Sequence, residues 1–260
     1  MARDVAVVTG ASSGIGEALA RRVARDGRHL VLVARRKDRL ENIARELGTN
    51  HGVTVDVIAA DLVRPGAAEE LVAEIGRRDL AVDWLVNNAG FGTVGRFDRI
   101  PVERELEEIR LNVGVLVELT GRCLPAMVAR GKGVVMNIAS MGGFAPGPYM
   151  ATYAATKAFV LSFSEAIAAE LRGTGVEVLC VCPGFTRTEF QDKAAVDVTG
   201  VPNFAWMSAD QVADQAVRAV GRGPVLVNGA MNSVVTSLVR LVPRNVTSRL
   251  VAAFLRPKEA

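Results

Sequence analysis

An apolar run at 4–8 leads into Thr9-Gly10-Ala11-Ser12-Ser13-Gly14-Ile15-Gly16, after which Ala18, Leu19, Ala20, Val23 and Ala24 recur at helical spacing up to Arg25. A short continuous apolar run is the pattern of a strand buried on both faces, as in a parallel sheet. Between such a strand and a helix the backbone turns sharply and comes close to whatever it binds, which favours residues without a Cβ. The unpaired N–H groups of the new helix point at that spot, so a pyrophosphate is the natural guest. A plain glycine-rich turn would use the same residues. The strand before it and the helix after it favour nucleotide binding.

Further strand patterns at 29–34, 53–58, 84–87, 134–138, 176–182 and 225–227 alternate with helical patterns at 36–47, 67–77, 102–127, 151–171 and 209–220. This alternation predicts an α/β fold with a parallel sheet covered by helices on both faces. No repeat, low-complexity tract or linker interrupts the 260 residues, a length that one α/β domain accommodates. Half of the residues are hydrophobic, yet no apolar stretch reaches the ~20 residues that span a bilayer. Met1-Ala2-Arg3-Asp4 reads as the approach to a strand and not as a signal peptide, so the expected location is cytoplasmic. Cys123, Cys180 and Cys182 lack zinc-type spacing and read as structural thiols of a reducing compartment, and no metal is expected. A net charge of +3, evenly spread, gives no case for nucleic acid. His29 and His51 have no motif partner and read as surface or packing residues.

A second constellation lies in the middle of the chain, where Tyr153 and Lys157 stand four residues apart and Ser140 lies thirteen positions upstream. The i, i+4 spacing puts the phenol and the ammonium on one helix face, pointing together. The glycines at 10, 14 and 16 give G-x-x-x-G-x-G in place of the usual dinucleotide spacing G-x-G-x-x-G. Together with Asn87-Asn88-Ala89-Gly90 and Tyr153-Ala154-Ala155-Thr156-Lys157, this resembles the short-chain dehydrogenase/reductase superfamily. Larger members of that superfamily carry T-G-x-x-G-x-x-G, and Ser13 stands where that pattern needs glycine, which favours the compact reductase branch. The resemblance covers nearly the whole chain. It implies a single Rossmann-type domain with a doubly wound parallel sheet of about seven strands, binding ligands beyond the carboxyl ends of the strands.

The resemblance also implies a mechanism. Tyr153 would give a proton to a substrate carbonyl oxygen as hydride arrives from NADPH, and take it back in the oxidative direction. Ser140 would position that oxygen. Lys157 would hold the cofactor ribose, and Asn112 in Leu111-Asn112-Val113 would complete the catalytic tetrad by holding a water that links Lys157 to solvent. By itself, an Asn inside a long helix would suggest only a local kink. A free tyrosine titrates near ~10, so phenolate at neutral pH needs roughly 3 units, about 4 kcal/mol, of bias. A neighbouring ammonium and an oxidised nicotinamide supply bias of that sign.

Enzymes that hold the 2′-hydroxyl of NAD place an acid at the end of the second strand, whereas those that take a 2′-phosphate use arginine. Here Ala34 stands at that place, followed by Arg35 and Arg36. Two arginines at a helix N-terminus oppose the macrodipole, which points to a ligand and so to NADP(H) ahead of NAD(H). The resemblance adds Ser12, Ser13, Ile15, Asp61, Leu62, Asn88, Ala89 and Gly90 to the cofactor set. It further adds Pro183, Gly184, Thr186 and Thr188 for the nicotinamide amide and the phosphate.

The expected pocket wall consists of Phe91, Met141, Phe144, Tyr149, Met150, Phe185, Phe190, Phe204 and Trp206, with 185–207 as a substrate lid. An aromatic and methionine-rich wall without a charged anchor suits a lipophilic ketone, 3-oxoacyl compound or steroid-like carbonyl. The tail at 232–256 carries apolar stripes at Val234, Val235, Leu238, Leu241, Val242, Val246, Leu250, Val251 and Phe254, with Arg240, Arg244, Arg249 and Arg256 beside them. Such a basic amphipathic pair fits a membrane surface or a cover over the cleft, and packing against the domain or a second subunit is the plainer alternative. The resemblance implies a homodimer or homotetramer formed through the helices at 102–127 and 151–171. Fold does not fix function, so a non-catalytic NADP-binding regulator or a membrane-surface scaffold remains an alternative, against which the four tetrad matches argue.

Overall fold

In the computed structural model, which describes residues 2–194 and 200–255, strands and helices alternate along most of the chain. The strands are β1 (Arg3–Thr9), β2 (His29–Ala34), β3 (Val55–Ala59), β4 (Leu80–Asn87), β5 (Gly133–Ile138), β6 (Val176–Cys182), β7 (Thr186–Arg187), β8 (Met207–Ser208) and β9 (Val225–Val227). The helices are α1 (Gly14–Arg25), α2 (Lys37–His51), α3 (Ala67–Arg77), α4 (Val102–Ile109), α5 (Val115–Arg130), α6 (Ala151–Glu170), α7 (Phe190–Ala194), α8 (Ala209–Ala219), α9 (Ala230–Leu241) and α10 (Arg244–Leu255). Seven strands form one parallel sheet in the order β3-β2-β1-β4-β5-β6-β9, and β7 pairs with β8 in a small ribbon.

Period-two alternation along these strands builds two cores. Ala6 and Val8, Leu30 and Leu32, Val86, Met136 and Val181 face a layer that includes Leu19, Val23, Leu40 and Val212. Their neighbours Val5, Val7, Val31, Val33, Leu85, Val135 and Val178 face Leu71, Ile75, Leu119, Met127 and Ile167 on the other side. Burying a Val or Leu of this kind contributes ~1.5–3 kcal/mol. The strands are thus apolar on both faces because helices cover both faces.

Three local differences from the sequence pattern have physical causes. β4 begins at Leu80, ahead of the expected 84–87, because Asp83 interrupts the apolar run without interrupting the strand. The register with β1 jumps between Val5–Val82 and Ala6–Trp84, which bulges Asp83 out to meet Arg28 at 2.7 Å. β3 lies at Val55–Ala59, shifted from 53–58, and Val53 is buried just before it. The helix expected at 102–127 runs from Val102 to Arg130 with a π-helical turn at Arg110–Gly114, the widened turn that carries Asn112. By length and a mean hydropathy of 1.3 this helix would qualify as a membrane span. Leu116, Leu119 and Met127, however, are buried in the domain core.

The tail forms α9 and α10, but its apolar stripe is not what docks it. Thr236 is buried, whereas Val234, Leu238, Leu241 and Leu250 are exposed, Leu241 to 82%. Arg256 and the side chain of Phe254 lie outside the described residues. The three cysteines are buried and unpaired in disulfides. Burial pushes Cys123 up to about 11, and the adjacent Cys180 with burial holds the Cys182 thiol far above its ordinary range. His29 accepts from the Thr54 N–H at 2.9 Å, a packing role.

Candidate active site

At the carboxyl ends of β1 and β4 the chain closes a cradle. Thr9 Oγ1 accepts from the N–H groups of Asn88 (2.9 Å) and Ala89 (3.0 Å) and donates to the Val86 carbonyl (3.1 Å). The Asn88 amide donates to the Thr9 carbonyl at 2.9 Å. Gly10 and Gly14 sit at φ +66° and +60°, and a Cβ on Gly10 would come within 2.7 Å of the Asn88 amide. A Cβ on Gly16 would collide with that amide and with the Gly10 carbonyl. Only glycine fits here, and the helix N-terminus is left bare toward the cleft. Gly90 is constrained in the same way, since its Cβ would stand 2.8 Å from Asn112 Oδ1.

Arg36 reaches back to this cradle. Its guanidinium donates to Ser12 Oγ (3.0 Å), Ser13 Oγ (2.8 Å) and Glu189 (2.9 Å), while Arg39 meets the other Glu189 oxygen at 2.5 Å. The Glu189 carboxylate is thus seated on a pair of arginines beside the glycine turn. Arg35 is exposed. Asp61 accepts from the Val63 N–H at 3.2 Å in an exposed turn, and Leu62 is buried behind it. Pro183 is buried at the end of β6, and Thr186 donates to the Gly184 carbonyl at 3.0 Å. The Thr188 methyl packs against Gly14, so the segment after β6 leans on the glycine turn.

Ser140, Tyr153 and Lys157 converge one strand over. A Cβ on Gly142 would lie 3.5 Å from Ser140 Oγ and 3.6 Å from Tyr153 Cε1, so both groups border the same point. Ser140 Oγ accepts from the Gly142 N–H at 3.0 Å, which leaves its hydroxyl hydrogen to donate. Lys157 is buried, donates to the Ile138 carbonyl at 2.8 Å and stands 5.7 Å from the centre of the Tyr153 ring. The Asn112 amide exchanges two bonds with the Phe91 backbone (2.9 and 3.1 Å) and donates to Thr156 Oγ1 at 3.1 Å. The π-helical turn gives that side chain its aim. Behind the site, Asn87, Asn137 and Ser164 form a buried hydrogen-bonded row across β4, β5 and α6.

Burial pushes the Tyr153 phenol up to about 12, opposed by a hydrogen bond from Ser140 and reinforced by the Glu108 carboxylate. Burial also brings Lys157 down to about 8. In the protein alone desolvation is the largest influence on the phenol, and the bias toward phenolate expected from Lys157 together with an oxidised nicotinamide belongs to the cofactor-bound site. Tyr153 is protonated at neutral pH, the state a proton donor needs.

The wall is partly as expected. Phe190 lies 5.4 Å from the Tyr153 ring, and Gly92 packs onto the same ring. Phe185 and Trp206 pair at 5.5 Å, and Arg187 covers Trp206. Met141 adjoins Gly184, Phe91 lies under Arg104, and Tyr149 sits half-buried at φ +66° beside buried Met150. Phe204 is exposed to 79%. Phe144 packs against the core cluster of Leu116, Val160 and Cys182, with Arg240 over its ring, and borders a groove shared with Glu165 and Arg222. The segment 185–207, expected as a lid, holds α7, the β7–β8 pairing at its ends and a short 3₁₀ turn at Asn203–Ala205, with 195–199 outside the described residues. Sequence reasoning missed Thr9, Glu189, Gly92 and the acids Glu105 and Glu108. Only Thr9, directly before Gly10, carried a local signal.

The family model for short chain dehydrogenases matches residues 4–199. The very-long-chain 3-oxoacyl-CoA reductase of Anas platyrhynchos is 36% identical over 190 residues, 71% of this chain and 60% of that protein. A short-chain dehydrogenase from Sphingobium yanoikuyae, solved in complex with NADPH, is 35% identical with a TM-score of 0.83, covering 99% of this chain and 98% of that one. A solved 7beta-hydroxysteroid dehydrogenase has a TM-score of 0.88 at 26% identity, covering 96% and 97%. The chain belongs to the short-chain dehydrogenase family. It is an oxidoreductase of that family, built on a single Rossmann-type domain.

Proposed function

We propose that the protein interconverts a lipophilic carbonyl compound and its secondary alcohol with NADP(H), using Tyr153 as general acid and base. The observation that carries this reading is the meeting of Tyr153 and Ser140 at Gly142, beside buried Lys157 and next to the glycine cradle. The cofactor supplies the hydride when bound. The cradle N–H groups would hold its pyrophosphate, and Arg36, already engaged with a carboxylate, would hold the 2′-phosphate. NADPH in the similar Sphingobium enzyme supports that choice.

In the reductive direction Ser140 donates to the carbonyl oxygen and fixes it, and the Tyr153 phenol gives up its proton to that oxygen. Lys157 holds the ribose and favours the phenolate that remains, while Asn112 keeps the Phe91 turn in place beside it. In the oxidative direction the same phenolate takes the alcohol proton. Phe190, Phe185, Trp206 and Met141 offer a largely apolar wall, which suits an acyl or steroid-like carbonyl. Likeness to a 3-oxoacyl-CoA reductase and a hydroxysteroid dehydrogenase agrees with that class.

Exposed Val102, Leu106, Ile109, Val117 and Val128 on the long helix, with Phe159 on α6, supply the apolar surface for a homodimer or homotetramer. Cytoplasmic residence is part of the same reading. The test is NADPH consumption across a panel of 3-oxoacyl thioesters, oxosteroids, aliphatic ketones and keto sugars. Turnover confined to keto sugars, or none with any carbonyl, would overturn the substrate class or the reaction respectively.

A further inference from the structure

Glu108 lies on α4, one turn before Asn112 and on the same face, and its side chain is completely buried. Its Oε2 accepts from the Thr93 N–H at 2.8 Å and lies 2.8 Å from the Thr93 hydroxyl, which also stands 2.6 Å from Glu105 Oε1. Among the described residues its Oε1 has no hydrogen-bond partner. A buried carboxylate ordinarily has a cation in contact or a full set of donors. Among the described residues this one has the donors of Thr93, and Glu105, buried beside it, adds a like charge. Burial pushes Glu108 up to about 7, with Thr93 opposing, Glu105 raising it further and Lys157 lowering it. The influence is mutual, since the Glu108 charge raises the proton affinity of both Tyr153 and Lys157.

The geometry ties this acid to the reacting group. The turn after β4 is pinned at Phe91 by Asn112 and at Thr93 by Glu108, one helical turn apart. Between the two pins lies Gly92, whose backbone packs on the Tyr153 ring so closely that a Cβ would stand 2.9 Å from Tyr153 Cδ2. We propose that Glu108 is a positioning residue of the site: through Thr93 its carboxyl holds the Gly92 wall against the Tyr153 ring. The inference rests on Tyr153 being the acid and base.

The sign follows from the shared field. As Glu108 ionises, Tyr153 becomes a poorer proton donor, so reductive turnover falls through that ionisation by about two- to tenfold, the span of a fraction of a pKa unit to one unit. Glu108→Gln keeps an acceptor for Thr93 but cannot ionise. It is expected to hold KM near the wild-type value, to keep kcat at its low-pH level across the range, and to move the Lys157 inflection to lower pH. Glu108→Ala removes the pin as well and is expected to raise KM. Thr93→Ala removes the hydroxyl donor alone, and should move the Glu108 inflection to higher pH.

Infrared spectroscopy of the cofactor-free protein supplies a readout independent of turnover. A buried carboxylic acid C=O band should fade between about pH 6 and 8 in the wild type and be missing from Glu108→Gln. Persistence of that band in Glu108→Gln, or a pH profile identical to wild type in both Glu108→Gln and Thr93→Ala, overturns the proposal. If Tyr153→Phe keeps its turnover, the assigned chemistry fails instead, and the infrared titration still reports on Glu108.

Discussion

The turn between β1 and α1 and the α9–α10 tail are built by opposite rules. In the turn the backbone is fixed by bonds that only particular atoms can make. Thr9 clasps Asn88 and Ala89, and glycine is demanded wherever a Cβ would strike that clasp. In the tail, apolar side chains at Val234, Leu238, Leu241 and Leu250 face outward among arginines, and α9 touches the domain through polar residues such as Asn232, which meets Gly184, and Arg240, which covers the Phe144 ring. The first region is intolerant because each atom has one place. The second is tolerant because its apolar row is not used by its own domain. The glycine cradle sits in the intolerant region, and the tail keeps its apolar row exposed.

The contrast breaks most easily at Gly16. Gly16→Val would drive its side chain into the Asn88 amide and the Gly10 carbonyl. Overpacking of this kind costs about 1–3 kcal/mol or more. A clear fall in Tm and loss of measurable NADPH binding are expected, and a variant that binds NADPH normally would show that the cradle is not where it has been placed. Arg36→Ala sharpens the comparison within the cradle. Losing one charge-assisted bond of ~1.5–3 kcal/mol should weaken NADPH by about 10- to 150-fold and leave NADH nearly unchanged, as read from cofactor fluorescence at fixed ionic strength. An equal loss for both cofactors would return Arg36 to a loop-bracing role through Ser12 and Ser13. The smallest effect belongs to the tail: Leu241→Glu should change monomer stability by no more than about 0.5 kcal/mol in urea unfolding. A larger loss would mean that the exposed stripe is covered in solution.

How much of this was legible in the sequence follows the same divide. The strand, turn and helix at 4–25, the doubly covered sheet and the Tyr153–Lys157 pair could be read because each depends on residue types at fixed local spacing. Arg36 could be read as an anion site, but its partner Glu189 could not, being 153 positions away. Asp83 looked like a strand boundary because a bulge is invisible to period-two patterning. Asn112 looked like a point of kinking, and the structure widens the helix there by a π-helical turn. That Phe144 packs on a core cluster and Phe204 stands in solvent could not be read, since an aromatic side chain has the same signature in a core, in a pocket or in solvent. The ammonium four residues from Tyr153 is visible in the chain, whereas the desolvation and the Glu108 charge that raise the phenol depend on the fold.

The central claim is that Tyr153 carries the proton while the cradle independently carries the cofactor, and Tyr153→Phe separates the two. Its NADPH dissociation constant and its single-turnover rate with an accepted ketone should be measured side by side with wild type. The expected result is a dissociation constant within about threefold of wild type and a rate lower by about 10²-fold or more, the range of a lost general acid. A rate close to wild type would contradict the account, because removing one phenolic oxygen leaves every contact of the cradle in place.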